Sequence, residues 1–214
     1  KNHNINFFNE DIHLLIYFSI LLFIFFTFLN FDNNFTNLFF SLTSSVSNIG
    51  FSLKNDSQNL SFIFLILVII GGSFFSTSSG IRFLKIYSLF KYSMNEILSY
   101  SRPKNIFVNK HLFSKQSFEL SEVHKYFLSI VVFIFSLFFL TCLLTLSGLE
   151  FDNSFKLSIL TLMNTVNSSM YGLNEFSFNN LHYFTKYYLI FFMVIGRIEL
   201  LTLLIISKKF LFKN

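Results

Sequence analysis

The stretch Phe31-Asp32-Asn33-Asn34-Phe35 returns as Phe151-Asp152-Asn153-Ser154-Phe155, an offset of 120 residues, and each copy lies between two long apolar runs. On the same offset Val46 meets Val166, Asn48 meets Ser168, and the pair Gly50 and Ser52 meets Met170 and Gly172. Such a repeat restricts the chain to two copies of one unit. Each unit reads as helix, short re-entrant helix, polar turn, helix, which is the pattern of a pore loop and predicts ion passage.

With 53% apolar and 13% charged residues in 214, the chain is too apolar for a soluble domain of its length. Four runs are long enough to cross a hydrocarbon core, which takes about 20 apolar residues. They lie near Ile12–Leu29, Leu60–Phe83, Phe127–Leu146 and Phe184–Ser207. The expected fold is an all-α integral membrane protein of two tandem helix/pore-loop/helix units, with four transmembrane helices and two re-entrant pore helices. The units are expected over residues 1–100 and 127–214, joined by a basic linker over 101–126. The 35 Phe, with no Trp and one Pro, have the look of an AT-rich coding bias laid over a membrane protein. Tyr87, Tyr92, Tyr126, Tyr183, Tyr187 and Tyr188 fall near the expected span ends, where amphipathic rings concentrate.

Eight of the 16 basic residues fall between Arg82 and Lys125: Arg82, Lys85, Lys91, Arg102, Lys104, Lys110, Lys115 and Lys125. The positive-inside rule puts that loop, 82–125, in the cytoplasm. Lys208, Lys209 and Lys213 join it there, because an even number of spans separates the two regions. Segments 31–59 and 148–183 then lie outside, each with a single Lys (Lys54, Lys156) against two or three acids. Anionic lipid or nucleic acid also attracts Lys and Arg. Topology accounts for the loop with no nucleic-acid partner. Cys142 is expected to pack inside the third span, and the five His are scattered without metal-ligand spacing. No span carries a clustered acid, base or nucleophile, so an enzyme is not expected, nor is a cofactor. The chain opens on Lys1 rather than Met, as a fragment would.

The two outer segments are too long for tight turns and too apolar for solvated loops. In the first, Asp32 and Asn33 are expected to cap a short helix through Phe35, Leu38, Phe39, Phe40 and Leu42, ending at Thr43 and Ser44. In the second, Asp152 and Asn153 cap a helix through Phe155, Leu157, Ile159, Leu160, Leu162 and Met163. A helix that enters from outside and stops midway aims its partly negative C-terminal end at the membrane centre, which favours a cation. The polar runs that follow, Ser45 to Phe51 and Thr165 to Tyr171, could line a filter with backbone carbonyls. The alternative is a pair of amphipathic outer loops packed over the helices.

The second span is interrupted by Gly71-Gly72-Ser73-Phe74-Phe75-Ser76-Thr77-Ser78-Ser79-Gly80. Three Gly and four Ser in ten residues weaken a helix, and non-helical backbone at that depth is tolerated where it lines a cavity. A gate beneath the filter and close helix packing through small residues both fit. Arg197 and Glu199 are the charges deep in the fourth span, where charge is costly. Spaced two apart, they point to different faces. Arg197 either projects into the pore as a barrier to cations or binds carbonyls structurally.

Taken in order, the pore helix, Ser47-Asn48-Ile49-Gly50-Phe51, the Gly/Ser break with Gly80-Ile81-Arg82, the basic loop, and the ending Ile195-Gly196-Arg197-Ile198-Glu199-Leu200-Leu201-Thr202 resemble Trk/Ktr-type potassium uptake proteins over essentially the whole chain. The resemblance implies a potassium pathway surrounded by four such units, of which this chain holds the third and fourth. It implies a third filter strand at Ser47, Asn48, Ile49 and Gly50, and a fourth at Asn167, Ser168, Ser169 and Met170. Met170 stands where that family has Gly, and its side chain resists the positive φ that Gly accepts. The resemblance further implies an intramembrane gating loop at Gly71, Gly72, Ser73, Ser76, Thr77, Ser78, Ser79 and Gly80, and a pore barrier at Arg197. It implies potassium as the transported ion, a bacterial inner-membrane location among lipid, a homodimer, an N-terminal half with two further pore-loop units, and a cytoplasmic nucleotide-binding regulatory subunit. A non-conducting remnant, which Met170 and the half length favour, and a membrane anchor or assembly subunit are the alternatives.

Overall fold

The structure, a computed structural model, describes residues 8–28, 35–51, 60–71, 81–101, 120–165, 169–173, 178, 181–197 and 209. Seven helices occur among them: α1 (Phe8–Phe28), α2 (Phe35–Val46), α3 (Ser61–Ile69), α4 (Phe83–Ser101), α5 (Leu120–Leu146), α6 (Phe151–Met163) and α7 (Tyr183–Arg197). The order long, short, long recurs as α1, α2, α3/α4 and α5, α6, α7. Among the described residues one helix, Glu122–Leu146, is long and apolar enough to cross a bilayer, and Leu14–Thr27 is a shorter apolar one.

One apolar cluster joins the two halves. Leu42 of α2, Phe64 and Val68 of α3, Leu140 and Leu144 of α5, and Leu160 and Leu162 of α6 lie in it, all essentially inaccessible to solvent. The α6 helix packs against α5, α7 and α3, and α3 in turn contacts α2. The first helix joins through rings: Phe25 stacks on Phe64, and Phe18 meets Phe39 edge-on.

Hydroxyls sit throughout this interior without breaking helices, because most bond back to their own turn. Thr141 donates to Leu137 O at 2.8 Å, Ser158 to Ser154 O at 2.6 Å and Thr161 to Leu157 O at 2.6 Å. Thr141 Oγ1 and Ser158 Oγ are also hydrogen-bonded at 3.0 Å, a polar tie between α5 and α6.

The expected second span divides where the Gly/Ser run begins. Helix α3 ends at Ile69, about 14 Å long at 1.5 Å per residue. Strand β1 (Ile70–Gly71) then pairs in parallel with β2 (Ile81–Arg82), Ile70 with Ile81 and Gly71 with Arg82. Parallel pairing makes the chain leave and rejoin the path in the same direction, so α4 runs on in the direction of α3. Gly72, Ser73, Ser76, Thr77, Ser78, Ser79 and Gly80 lie outside the described residues.

Several boundaries differ from the sequence reading. Residues 83–101, a loop in that reading, are helix α4, and α5 begins at Leu120, seven residues before the expected Phe127. Helix α2 runs to Val46, beyond Thr43 and Ser44, because Thr43 and Ser45 donate to Phe39 O and Leu42 O inside the helix instead of terminating it. Asp152 and Asn153 do not cap α6: Glu150 occupies that position with no side-chain capping bond, and Asp152 stands inside the first turn. The cause lies upstream. Gly148, at φ +93°, closes α5 with Gly148 N donating to Thr145 O, and that sharp turn starts the next helix early. Asp32 and Asn33 lie outside the described residues. Cys142, expected in packing, faces outward from α5.

Candidate functional site: two helix ends and their glycines

Both short helices end the same way. Asn48 after α2 and Asn164 after α6 adopt the left-handed conformation, at φ +58° and +54°. In each, the next residue's N–H reaches back five positions: Ile49 N to Ser44 O and Thr165 N to Leu160 O, both 3.0 Å. Asn48 N also bonds to Ser45 O and Asn164 N to Thr161 O, each at 3.2 Å. These are paired left-handed caps, for which Asn is the common substitute for Gly. They stand 116 residues apart, not 120, so the structural register of the repeat differs from the sequence register by about one helical turn.

A left-handed glycine follows each cap. Gly50, at φ +87°, comes two residues after Asn48, buried between exposed Ile49 and Phe51. In the second half it is Gly172, at φ +72°, eight residues after Asn164. Met170 takes no such conformation. It lies in a 3-10 turn, Ser169–Tyr171, that packs against α3, and its side chain is 1% exposed within the core. The constant offset pairs Gly50 with Met170, whereas the positive φ that Gly50 adopts is found at Gly172. Three of the residues between Asn164 and Gly172 form the 3-10 turn, and Tyr171 at 0% exposure anchors it. Of the remaining expected filter residues, Ser47 is exposed and Asn48 buried, whereas Asn167 and Ser168 lie outside the described residues.

The space beside Gly172 is bounded on two sides. A β-carbon there would meet Ser61 Oγ of α3 at 3.3 Å and Lys156 Nζ of α6 at 3.4 Å. Lys156 also bonds to Asp152 Oδ2 at 2.5 Å, one turn back on the same helix.

The C-terminal end of α6 is fixed to α7. Asn164 Nδ2 donates to Met193 O at 2.9 Å. Gly196 approaches the backbone of Leu162 so closely that a β-carbon would overlap the carbonyl oxygen and stand 2.9 Å from the carbonyl carbon. Arg197 comes next, exposed, at the level where α6 ends. The small residue before it permits the contact that puts the guanidinium's helix position there. Glu199 lies outside the described residues. Sequence reasoning missed Gly172, Gly196 and Lys156, although the two glycines carried a signal in lying beside the candidate residues.

Two short helices with matched left-handed ends, each followed by a left-handed glycine and one clamped beside an arginine, thus sit in a predominantly helical fold. The profile of the TrkH family, described as a cation transport protein, matches residues 13–212, and the chain belongs to that family. The fold is similar to the crystal structure of the potassium transporter TrkH from Vibrio parahaemolyticus, with a TM-score of 0.78 at 19% sequence identity. The likeness covers 92% of this chain and 44% of that one, so the chain spans less than half the length of that transporter. No curated protein sequence matches it.

Proposed function

We propose that the chain forms half of a membrane pore for a monovalent cation, potassium in the first instance. The observation that carries this reading is the repeated geometry at Asn48–Gly50 and Asn164–Gly172. Each short helix ends, with its negative C-terminal end, in a left-handed Asn, and a glycine at positive φ follows each. Backbone of this kind can present carbonyls in place of a cation's hydration shell.

In this reading Ser47, Asn48, Ile49 and Gly50 form one filter strand. The second strand, assigned by sequence to Asn167–Met170, extends to Gly172. With the left-handed glycine at 172, Met170 no longer argues for a non-conducting remnant. Residues 71–80 form the gating loop, carried between two helix segments that run in the same direction. Arg197 stands below the filter as the barrier. Helices α1, α5 and α7 and the interrupted span 60–83, which opens with α3, cross the bacterial inner membrane, and α2 and α6 re-enter from outside. The two units are residues 1–100 and 127–214 with the linker 101–126 between them, and the basic region 82–125 and the C-terminus are cytoplasmic. Exposed Ile49 and Phe51 face the place of two further units. A homodimer and a cytoplasmic nucleotide-binding subunit complete the assembly.

Growth on limiting potassium tests the proposal. A potassium-uptake-deficient bacterium expressing the complete reading frame that contains this chain should grow, and Gly50→Asp should abolish growth while the protein still inserts. Absence of growth with well-inserted wild-type protein would overturn the pore reading.

A further inference from the structure

One charged group adjoins the second unit's glycine. Lys156 is the single lysine of the second outer segment. Its side chain is 17% exposed, and its ammonium lies 3.4 Å from where a Gly172 β-carbon would sit, opposite the Ser61 hydroxyl. Asp152, 72% exposed, holds that ammonium at 2.5 Å from the neighbouring turn of α6. A bare ammonium beside a path for cations would repel them, and it is the carboxylate that compensates it.

We propose that Asp152 and Lys156 form a charge-compensated pair beside Gly172 that sets the barrier for a cation passing the second unit. This inference rests on the pore reading above. Lys156 acts on the ion through space. Asp152 is a positioning residue that acts through Lys156. Because the carboxylate is the more exposed partner, water screens it more than the ammonium. Removing Asp152 therefore exposes a full positive charge to the path, whereas removing Lys156 leaves a well-screened negative one. The two single changes must act in opposite directions, and the double change must nearly cancel.

The test is the concentration dependence of rubidium uptake by cells expressing the complete reading frame, normalised to inserted protein. Asp152→Asn should raise the half-saturating rubidium concentration about three- to tenfold, the size expected for one partly screened charge several ångströms from the path. Lys156→Gln should lower it by about half, and the double variant should return within about twofold of wild type. To separate charge from folding, Asp152→Cys in a background without other reactive cysteines is labelled after insertion. A cationic methanethiosulfonate should depress uptake and an anionic one restore it. Wild-type uptake with both single variants shifted the same way, or neither shifted, overturns the pair and leaves the pore reading standing. No uptake by inserted wild-type protein overturns the pore reading, and this inference with it.

Discussion

Gly196 of α7 lies against the backbone of Leu162 in α6, where a β-carbon would overlap the carbonyl oxygen and stand 2.9 Å from the carbonyl carbon. Both atoms belong to a helix backbone that packs on two further helices, so neither can retreat cheaply. Gly196→Ala should destabilise the protein by about 2–4 kcal/mol, at or above the usual cost of overpacking. Thermal unfolding in detergent should show a large fall in Tm. An unchanged Tm would mean that α7 does not approach α6 this closely.

Gly172 and Met170 should fail in different ways. Gly172→Ala puts a side chain at φ +72° between Ser61 and Lys156, so rubidium uptake should be lost while insertion is retained. Met170→Ala empties a core position that is 1% exposed and should cost about 2–5 kcal/mol of stability. Met170→Gly should likewise destabilise the protein without sharpening selectivity. If Met170→Gly improved the preference for potassium over sodium, the filter glycine of the second unit would belong at position 170 and not at Gly172.

Asn164 combines a left-handed backbone with a side-chain bond to Met193 O. Asn164→Gly keeps the first and removes the second, whereas Asn164→Ala loses both. Alanine should therefore be the more destabilising by about 1 kcal/mol, which denaturant midpoints of the two variants would resolve. The reverse order would place the stabilisation elsewhere.

Lys85, 6% exposed, donates to Ser129 Oγ at 3.2 Å and ties the start of α4 to α5 just beyond the interrupted span. Much of its burial is the methylene stem. Lys85→Met keeps that stem, and Lys85→Ala removes it, so alanine should cost about 2 kcal/mol more than methionine. Equal losses in Tm would assign the effect to the charge alone.

Hydrophobic run length locates α1, α3, α5 and α7, and the polar turns locate both short helices. What pattern does not locate is register. A shift of four residues leaves the same face of a helix inward, so periodicity does not distinguish the 120-residue alignment from the 116-residue one that Asn48 and Asn164 define. The 3-10 turn at Ser169–Tyr171 carries no compositional mark, so a constant offset pairs Gly50 with Met170 although the glycine at positive φ is Gly172. Helix α4 is hidden in the sequence because its many polar residues read as loop. Cys142 carries no periodic signal in a run apolar on every side, so its outward direction is not legible.

The most direct test of the pore is rubidium tracer flux into liposomes holding the purified protein from the complete reading frame. An inside-negative potential supplies about 2.3 kcal/mol per unit charge per 100 mV. Uptake should follow that potential and vanish in both Gly50→Asp and Gly172→Asp, although each reconstitutes as well as wild type. No flux from wild-type protein, or flux indifferent to both substitutions, would contradict a pathway lined by these two glycines.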